Sequence, residues 1–272
     1  VYNLKHTEVV VLDEADRMFD LGFIDDIRFL MRRMPAPAKR QSLLFSATLS
    51  YRVMELAYEH MDSPETLKVE AESVTADHVE QKVYYPANDE KLPLLVGLMR
   101  ALGAHHSMVF TNTRAAADRV GRTLNANGIA AAVISGRVRQ EQRQKLLKRF
   151  HDGNIPVLVA TDVAARGLHI PDVTHVFNFD LPQDAPDYVH RIGRTARLGA
   201  KGDAISFACE DYAFHLPEIE EYIGYSIDTD SAGSDLMPDI TIPPAPKRTK
   251  PKHGGKRHGS RGQQNKGRRQ NR

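Results

Sequence analysis

Short β-branched runs alternate with longer amphipathic segments from residue 8 to about residue 225, and this alternation constrains the fold more than any other feature. Strands are predicted at residues 8–12, 42–46, 67–70, 79–85, 108–111, 130–134, 157–160, 173–177 and 204–208. Helices are predicted at residues 50–61, 91–102, 114–125, 139–151 and 185–192. Regular strand–helix alternation is typical of an α/β fold, in which helices cover both faces of a parallel sheet.

The polar and acidic segment "EAESVTADHVEQ", residues 70–81, has no apolar period and divides this alternation in two. We therefore expect a first part at residues 1–71, a linker at 72–78 and a second domain at 79–225. The first part holds only about three predicted strands, too few for a complete doubly wound domain. It is expected to be the C-terminal remnant of a larger domain, whereas the second can close its own core.

The charge distribution separates an acidic body from a basic tail. From Lys247 onward there are eleven Lys or Arg and no Asp or Glu, so residues 1–246 carry a balance of −9 within a net charge of +2. Residues 226–272 are predicted to be a Pro-rich linker followed by a disordered tail, because the tail has no apolar residues with which to build a core. Such a tail is expected to act by counter-ion release on a nucleic acid, and a purely solubilising role is the alternative.

Composition excludes several classes of protein. An apolar fraction of 41% and a charged fraction of 26% are those of a globular protein, and no apolar run is long enough to predict a membrane span. The first residues have neither the basic start nor the apolar core of a signal peptide, and they are expected to begin inside a longer chain. The single cysteine, Cys209, excludes an internal disulfide and indicates a reducing, cytoplasmic setting.

The stretch "EVVVLDEADRMFD", residues 8–20, carries the first chemical signal. Its apolar strand ends in Asp13 and Glu14, an arrangement in which one carboxylate holds Mg²⁺ and its neighbour activates a water for phosphoryl transfer. Two acidic residues at a helix N-terminus would give the same pattern. The next apolar strand ends in "FSATLS", which leaves Ser46 and Thr48 at the same sheet edge, either as partners of the carboxylates or as a cap for the following helix.

Two stretches of the second part combine small residues with basic ones. "VLVATDVAARGLHI" places Thr161, Asp162, Arg166 and Gly167 after a buried strand, where small neighbours allow a ligand backbone to approach. In "YVHRIGRTARLGAKG", Arg194 and Arg197 lie on one side of a helical turn, and planar guanidinium groups suit the charge that develops on a transferred phosphoryl group. A solvated basic loop is the alternative.

Together these motifs resemble the DEAD-box RNA helicases. The sequences "DEAD" at 13–16, "SAT" at 46–48, "FTNT" at 110–113, "QEQR" at 140–143, "ATDVAARGLHI" at 160–170 and "HRIGRTAR" at 190–197 occur in that family's order and cover nearly all of residues 8–225. The resemblance implies RecA-like domains, an incomplete first and a complete second one. It also implies ATP as nucleotide, Mg²⁺ as metal and RNA as a partner bound across both domains without sequence preference.

The resemblance also implies roles for individual residues. Asp13 is expected to hold Mg²⁺ and Glu14 to activate water, while the implied ATP-binding and catalytic set adds His169, Arg194 and Arg197. The residues implied to couple nucleotide state to domain closure are Asp16, Ser46, Ala47, Thr48, His190 and Arg191. Those implied to lie on or near the RNA backbone are Asn112, Gly136, Gln140, Arg143, Thr161, Asp162, Arg166 and Gly167.

The sequence departs from the family pattern in two places. His169 stands where the family commonly has an Asp that contacts the ATP ribose, and the adenine-reading motif and the phosphate loop G-x-x-x-x-G-K-T have no counterpart in these 272 residues. We therefore expect the intact protein to be an RNA-dependent ATPase that unwinds short duplexes in RNA degradation, and this chain alone to be inactive. Endoribonuclease E of the RNA degradosome is a candidate partner. The alternatives are a non-catalytic module that binds RNA and docks a nuclease, or a DNA translocase of the same superfamily.

Overall fold

Two compact units, Val1–Ala71 and Glu72–Arg272, make up the computed structural model of the chain. The structure describes residues 3–20, 22–68, 78–103, 105–136, 138–165, 173–196 and 201–245, with the side chains of all these except Asp20 and Gln140. The predicted basic tail, from Lys247 onward, lies outside the described residues.

The first unit is a two-stranded parallel sheet with helices on one face. Its elements are β1 (Val9–Leu12), α1 (Ala15–Asp20), α2 (Ile24–Met31), β2 (Gln41–Leu44) and α3 (Tyr51–His60). Alternation along the strands turns Val10, Leu12 and Leu44 toward a small core of α2 and α3 residues, whereas Val9 and Val11 are about half exposed on the other face. The strand predicted at 67–70 is not formed at Leu67 and Lys68, and its other two residues lie outside the described part.

The second unit is a seven-stranded parallel sheet in the order β5-β6-β4-β7-β8-β3-β9. Its elements are β3 (Val79–Tyr84), α4 (Lys91–Ala101), β4 (Ser107–Phe110), α5 (Arg114–Ala126), β5 (Ala131–Ile134), α6 (Gln140–His151), β6 (Val157–Ala160), α7 (Asp162–Ala165), β7 (His175–Asn178), α8 (Ala185–Ile192), β8 (Gly202–Phe207), α9 (Leu216–Ile223) and β9 (Asp228–Thr229). The predicted parallel α/β architecture is confirmed.

Helices cover both faces of this sheet because successive strand residues point to opposite sides. In β4, Val109 packs with apolar residues of α4 and α5, whereas Met108 and Phe110 pack on the other face with Phe150 of α6. Helices α8 and α9 continue that second layer over Val83 and Ala204. All strands run the same way, so the residues that follow them collect at one edge of the sheet, which we call the carboxyl edge.

The segment from Ile227 to Thr241, which we call the strap, packs against β3, α4 and α5 within the second unit, although its turn-rich composition predicted a linker. Strand β9 adds to the sheet edge beside β3, and Leu236, Met237 and Ile240 pack on the α4–α5 core. The side chain of Asn127 donates to the Thr241 carbonyl at 2.8 Å and accepts from its amide at 3.0 Å. A few partly buried apolar side chains in a largely polar segment give no periodic signal, which is why composition alone missed this contact.

Candidate functional site

The turn from β1 into α1 places Asp13 and Glu14 directly after a packed strand. Asp13 is exposed, and its Oδ1 accepts the Glu14 amide at 2.9 Å. Glu14 has a left-handed backbone with φ 53°, a conformation that costs a non-glycine residue about 1 kcal/mol. The amide of Ala15 donates to the Phe45 carbonyl at 3.0 Å, which ties the turn to the end of β2. Helix α1 begins directly after Glu14, so the two carboxylates lie both at the end of β1 and at the N-terminus of a helix.

The end of β2 meets the DEAD segment through Asp16. Its Oδ2 accepts from both the amide and the hydroxyl of Thr48, each at 3.0 Å, and its own amide donates to the Ser46 hydroxyl at 3.2 Å. Ser46 in turn donates to the Thr48 carbonyl at 2.7 Å. The cap of α3 is Ser50, which accepts from Val53, so Ser46 and Thr48 are partners of the acidic segment rather than the helix cap.

These hydrogen bonds determine the charge of Asp16. Burial by itself disfavours the ionised carboxyl, but the bonds from Thr48, Ser46 and the Arg17 amide outweigh it and hold the pKa of Asp16 below its ordinary value. A carboxylate that stays ionised is a stronger acceptor, so the contact between the two segments is strongest when Asp16 is charged.

Ala47 lies exposed between Ser46 and Thr48, at the rim of an open, largely apolar groove of about 590 Å³. The groove runs between the end of β2, helix α3 and the segment that follows it, and Leu49, Val53 and Met54 line its wall.

Asp13 has the chemistry expected of a magnesium ligand. In the described part of the chain, no three His, Cys, Asp or Glu side chains are gathered in a way that would hold a metal ion. Mg²⁺ does not require such a cage, because it usually takes one or two carboxylates and completes its shell with water and phosphate oxygens. An exposed carboxylate at the end of a rigid strand fits that donor set.

In the second unit, Arg191 joins three segments at the carboxyl edge. Its side chain is 1% exposed, and its Nε and Nη2 donate to Asp162 Oδ1 and Oδ2, both at 2.7 Å. Nη2 also donates to Asn112 Oδ1 at 2.9 Å, and the guanidinium lies over the Phe110 ring at 5.2 Å from its centroid. A paired, planar contact of this kind fixes both orientation and distance. Arg191 and Asp162 are therefore internal partners of one another.

The other residues predicted to contact RNA surround this cluster. Thr161 and Asp162 follow β6 and are partly exposed, and Gly136 is exposed after β5, where an added Cβ would meet no atom within 4 Å. Arg143 lies in the first turn of α6, and its Nε is buried without an acceptor among the described residues. Gln140 begins the same helix, and its side chain is outside the described part.

The arginine-rich motif "HRIGRTAR", residues 190–197, begins in α8, and its last residue lies outside the described residues. His190 is half-buried in the last turn of α8, and Arg194 is half-buried after Gly193, with its carbonyl accepting from Val173 at 3.2 Å. Four predicted site residues lie outside the described residues: Arg166, Gly167, His169 and Arg197.

Sequence reasoning missed Lys91 and Asp180, which form a buried ion pair behind the Arg191 cluster. Asp180 comes two residues after β7, and the same strand-end rule that selected Asp13 could have found it. Lys91 gave no signal, because a single lysine at the start of an apolar helix is usually solvated.

Two family models match the chain in the order of these motifs. The DEAD/DEAH box helicase model matches residues 1–56, and the helicase conserved C-terminal domain model matches residues 90–199. The ATP-dependent RNA helicase RhlB of Xanthomonas axonopodis is 58% identical over 247 residues, which are 91% of this chain and 43% of that protein. RhlB of Vibrio vulnificus is 54% identical over 92% of this chain and 57% of its own length.

The chain belongs to the DEAD-box helicase family.

Solved DEAD-box structures agree with this assignment and with RecA-like domains. Dbp5 of Saccharomyces cerevisiae bound to RNA and ADP BeF3 is 33% identical, with a TM-score of 0.73 over 84% of this chain and 60% of that one. The DEAD-box protein SrmB of Escherichia coli, bound to regulator of ribonuclease activity A, is 37% identical, with a TM-score of 0.56 over 62% of this chain and 99% of that one. The chain spans 43% and 57% of the two RhlB relatives, so it corresponds to about half of a DEAD-box protein of that type. Among its described residues, no helix has the length and apolar character to cross a bilayer.

Proposed function

We propose that the protein to which this chain belongs is an ATP-dependent RNA helicase of the RhlB type, which uses ATP hydrolysis to separate short RNA duplexes. The observation that carries the proposal is the paired contact of Arg191 with Asp162 and Asn112, which gathers three helicase motifs at one edge of the sheet. Support also comes from the names of the relatives, since RhlB is an ATP-dependent RNA helicase and Dbp5 has been solved with RNA.

The carboxylates after β1 are proposed to serve ATP hydrolysis. Asp13 would hold Mg²⁺, whose charge neutralises that developing on the phosphate oxygens. Glu14 orients the attacking water and accepts its proton, and the left-handed turn fixes the direction of its side chain. Arg194 and Arg197 direct positive charge at the γ-phosphate, and His169 contacts the ribose. The nucleotide state is transmitted by Asp16, Ser46, Ala47, Thr48 and His190. The hydrogen bond from Thr48 to Asp16 is one contact that can break as that state changes.

RNA is proposed to bind along the carboxyl edge of the second unit without reading sequence. Gly136 leaves room for a sugar-phosphate backbone, and the guanidinium of the half-buried Arg143 supplies positive charge for a phosphate. Thr161, Gln140, Arg166 and Gly167 would complete this surface. The basic tail would raise the local concentration of RNA electrostatically.

Two arginines of the same helix provide a matched test. Arg143→Gln and Arg149→Gln each remove one positive charge from α6, but only Arg143 belongs to the proposed surface. By fluorescence anisotropy with a labelled single-stranded RNA, Arg143→Gln should weaken binding about tenfold, as expected for loss of a charge-assisted bond. Arg149→Gln should change it by less than about twofold. Equal losses in the two variants would assign RNA binding to diffuse charge and reject the proposed surface.

Gly136→Ala tests the same surface by shape. Among the described residues the added methyl meets no atom within 4 Å, so folding should be unaffected. A loss of RNA affinity with an unchanged melting curve would then report contact with the RNA backbone, and unchanged affinity would remove Gly136 from the surface.

A role in RNA degradation in the cytoplasm, with endoribonuclease E as partner, is the finer part of this proposal. Co-purification of the chain with purified endoribonuclease E would support it, and absence of any complex at micromolar concentration would reject it. A second candidate function for the chain by itself is a non-catalytic module that binds RNA and docks a nuclease.

A further inference from the structure

A buried ion pair lies behind the proposed RNA surface. Lys91, the first residue of α4, is 4% exposed, and Asp180, after β7, is 3% exposed. The Lys91 ammonium donates to Asp180 Oδ1 at 2.5 Å and also lies over the Phe179 ring, 4.3 Å from its centroid. Neither residue belongs to a helicase motif identified in the sequence.

Asp180 makes three further hydrogen bonds, all with motif residues. Its backbone amide donates to the Phe110 carbonyl at 3.3 Å. Its Oδ2 accepts the backbone amide of Asn112 at 2.9 Å, and its backbone carbonyl accepts from Arg191 Nη1 at 2.6 Å. The side chain of Asn112 meanwhile donates to the Leu181 carbonyl at 2.8 Å. Asp180 is thus the point at which the loop after β4 and the arginine of α8 are held together.

The energetics of such a pair favour a positioning role. Removing both charges from water costs several kcal/mol, which the mutual attraction of a buried pair repays only in part, and a well-packed apolar pair is often as stable. The pair therefore adds little net stability. The pair does orient the Asp180 carboxylate, because Lys91 binds Oδ1 and leaves Oδ2 facing the Asn112 amide.

We propose that Lys91 and Asp180 are a positioning pair for RNA binding. They hold the loop at Asn112, and through Arg191 also Asp162, in the geometry that receives the sugar-phosphate backbone, without contacting RNA themselves. This inference rests on the proposed RNA surface at the carboxyl edge. It differs from a purely structural role because it requires one specific bond, from the Asn112 amide to a side-chain oxygen at position 180.

Two double variants of the full 272-residue chain separate these roles. Lys91→Met with Asp180→Leu and Lys91→Met with Asp180→Asn both remove the buried charges. Leu and Asn both keep the branched shape of the Asp180 side chain, and Leu is the larger of the two. Only the second retains an oxygen that can accept from the Asn112 amide. The probe is a labelled single-stranded RNA read by anisotropy, and hydrogen exchange at the Asn112 amide reports the bond directly.

The Leu version is expected to bind RNA roughly 2- to 30-fold more weakly, the range of coupling through a shared network, with faster exchange at Asn112. The Asn version should recover most of the affinity and the protection. Asp203→Asn is the matched control. Asp203 lies at the start of β8, and its carboxylate is 3.5 Å from His175 at the start of β7, at the edge of the sheet opposite the carboxyl edge. RNA affinity should not change in this variant. Equal affinities of the two double variants would overturn the proposal.

Arg143→Gln distinguishes this failure from failure of the proposed function. If Arg143→Gln weakens RNA binding while both double variants bind like the wild type, the surface stands and the positioning pair is rejected. If Arg143→Gln has no effect, the surface is wrong and the positioning proposal falls with it. If the Leu version does not fold, Lys91→Met with Asp180→Asn keeps the test decisive: it leaves no buried charge unpaired and retains the acceptor, so a loss beyond about twofold would contradict the proposal.

Discussion

Replacing Gly97 by alanine should destabilise the second unit, the reverse of what this substitution does in most helices. Gly97 is buried in the middle of α4. In a helix interior, alanine is more favourable than glycine by about 1 kcal/mol. Here, however, an added Cβ would collide with the backbone carbonyl oxygen of Leu236, which belongs to the strap. A backbone atom cannot rotate away as a flexible side chain does, so either α4 or the strap must move.

The size of the effect follows from two opposing contributions. Overpacking of a well-filled contact costs about 1–3 kcal/mol, against the helix gain of about 1 kcal/mol. The expected net loss in the free energy of unfolding is therefore about 1 kcal/mol. For a domain of about 150–250 residues this lowers Tm by about 2–4 °C. Release of the strap would limit the loss, because the two Asn127–Thr241 hydrogen bonds contribute only about 1 kcal/mol each.

Thermal and urea unfolding followed by circular dichroism would measure this change, and removal of the obstacle provides the control. In a chain that ends at Gly233, the Leu236 carbonyl is gone, and Gly97→Ala should then stabilise by about 1 kcal/mol. The sign of the effect should thus reverse with the strap. Stabilisation by Gly97→Ala in the full chain, or the same sign in both chains, would refute the close contact between α4 and the strap.

Three further predictions concern the proposed function. Because hydrogen bonds outweigh burial and lower the pKa of Asp16, the stability that Asp16 contributes should be present above about pH 4 and fade as the pH falls through its native pKa. Thr48→Val should move the pKa of Asp16, measured by NMR, toward its ordinary value. An unchanged pKa would contradict the Asp16–Thr48 contact. The 272-residue chain should show no RNA-stimulated ATPase, and turnover that disappears in Glu14→Gln would disprove this. Deletion from Lys247 onward should lower RNA affinity and flatten its dependence on salt by several released counter-ions, whereas an unchanged slope would exclude contact between tail and RNA.

The sequence alone was sufficient for the parallel α/β architecture, and it supplied most of the residues proposed for the candidate site. The spacing of apolar residues predicts strands and helices locally. Ligand-binding groups follow the strands of a parallel sheet, and this rule selects residues such as Asp13, Ser46 and Asp162. Motif order then identified the family, which the family models and the RhlB relatives confirmed.

Only the tertiary structure decided which of these residues contact one another. Arg191 and Asp162 were both predicted from motifs, but their mutual pairing joins positions 29 residues apart. The Lys91–Asp180 pair spans 89 residues, and the strap meets Asn127 across 114. Periodicity reports only the side on which a residue lies, whereas the partner it finds there depends on how distant segments pack. The buried polar contacts at the carboxyl edge could therefore not be predicted from the periodicity of the sequence, although the sequence contains every residue that makes them.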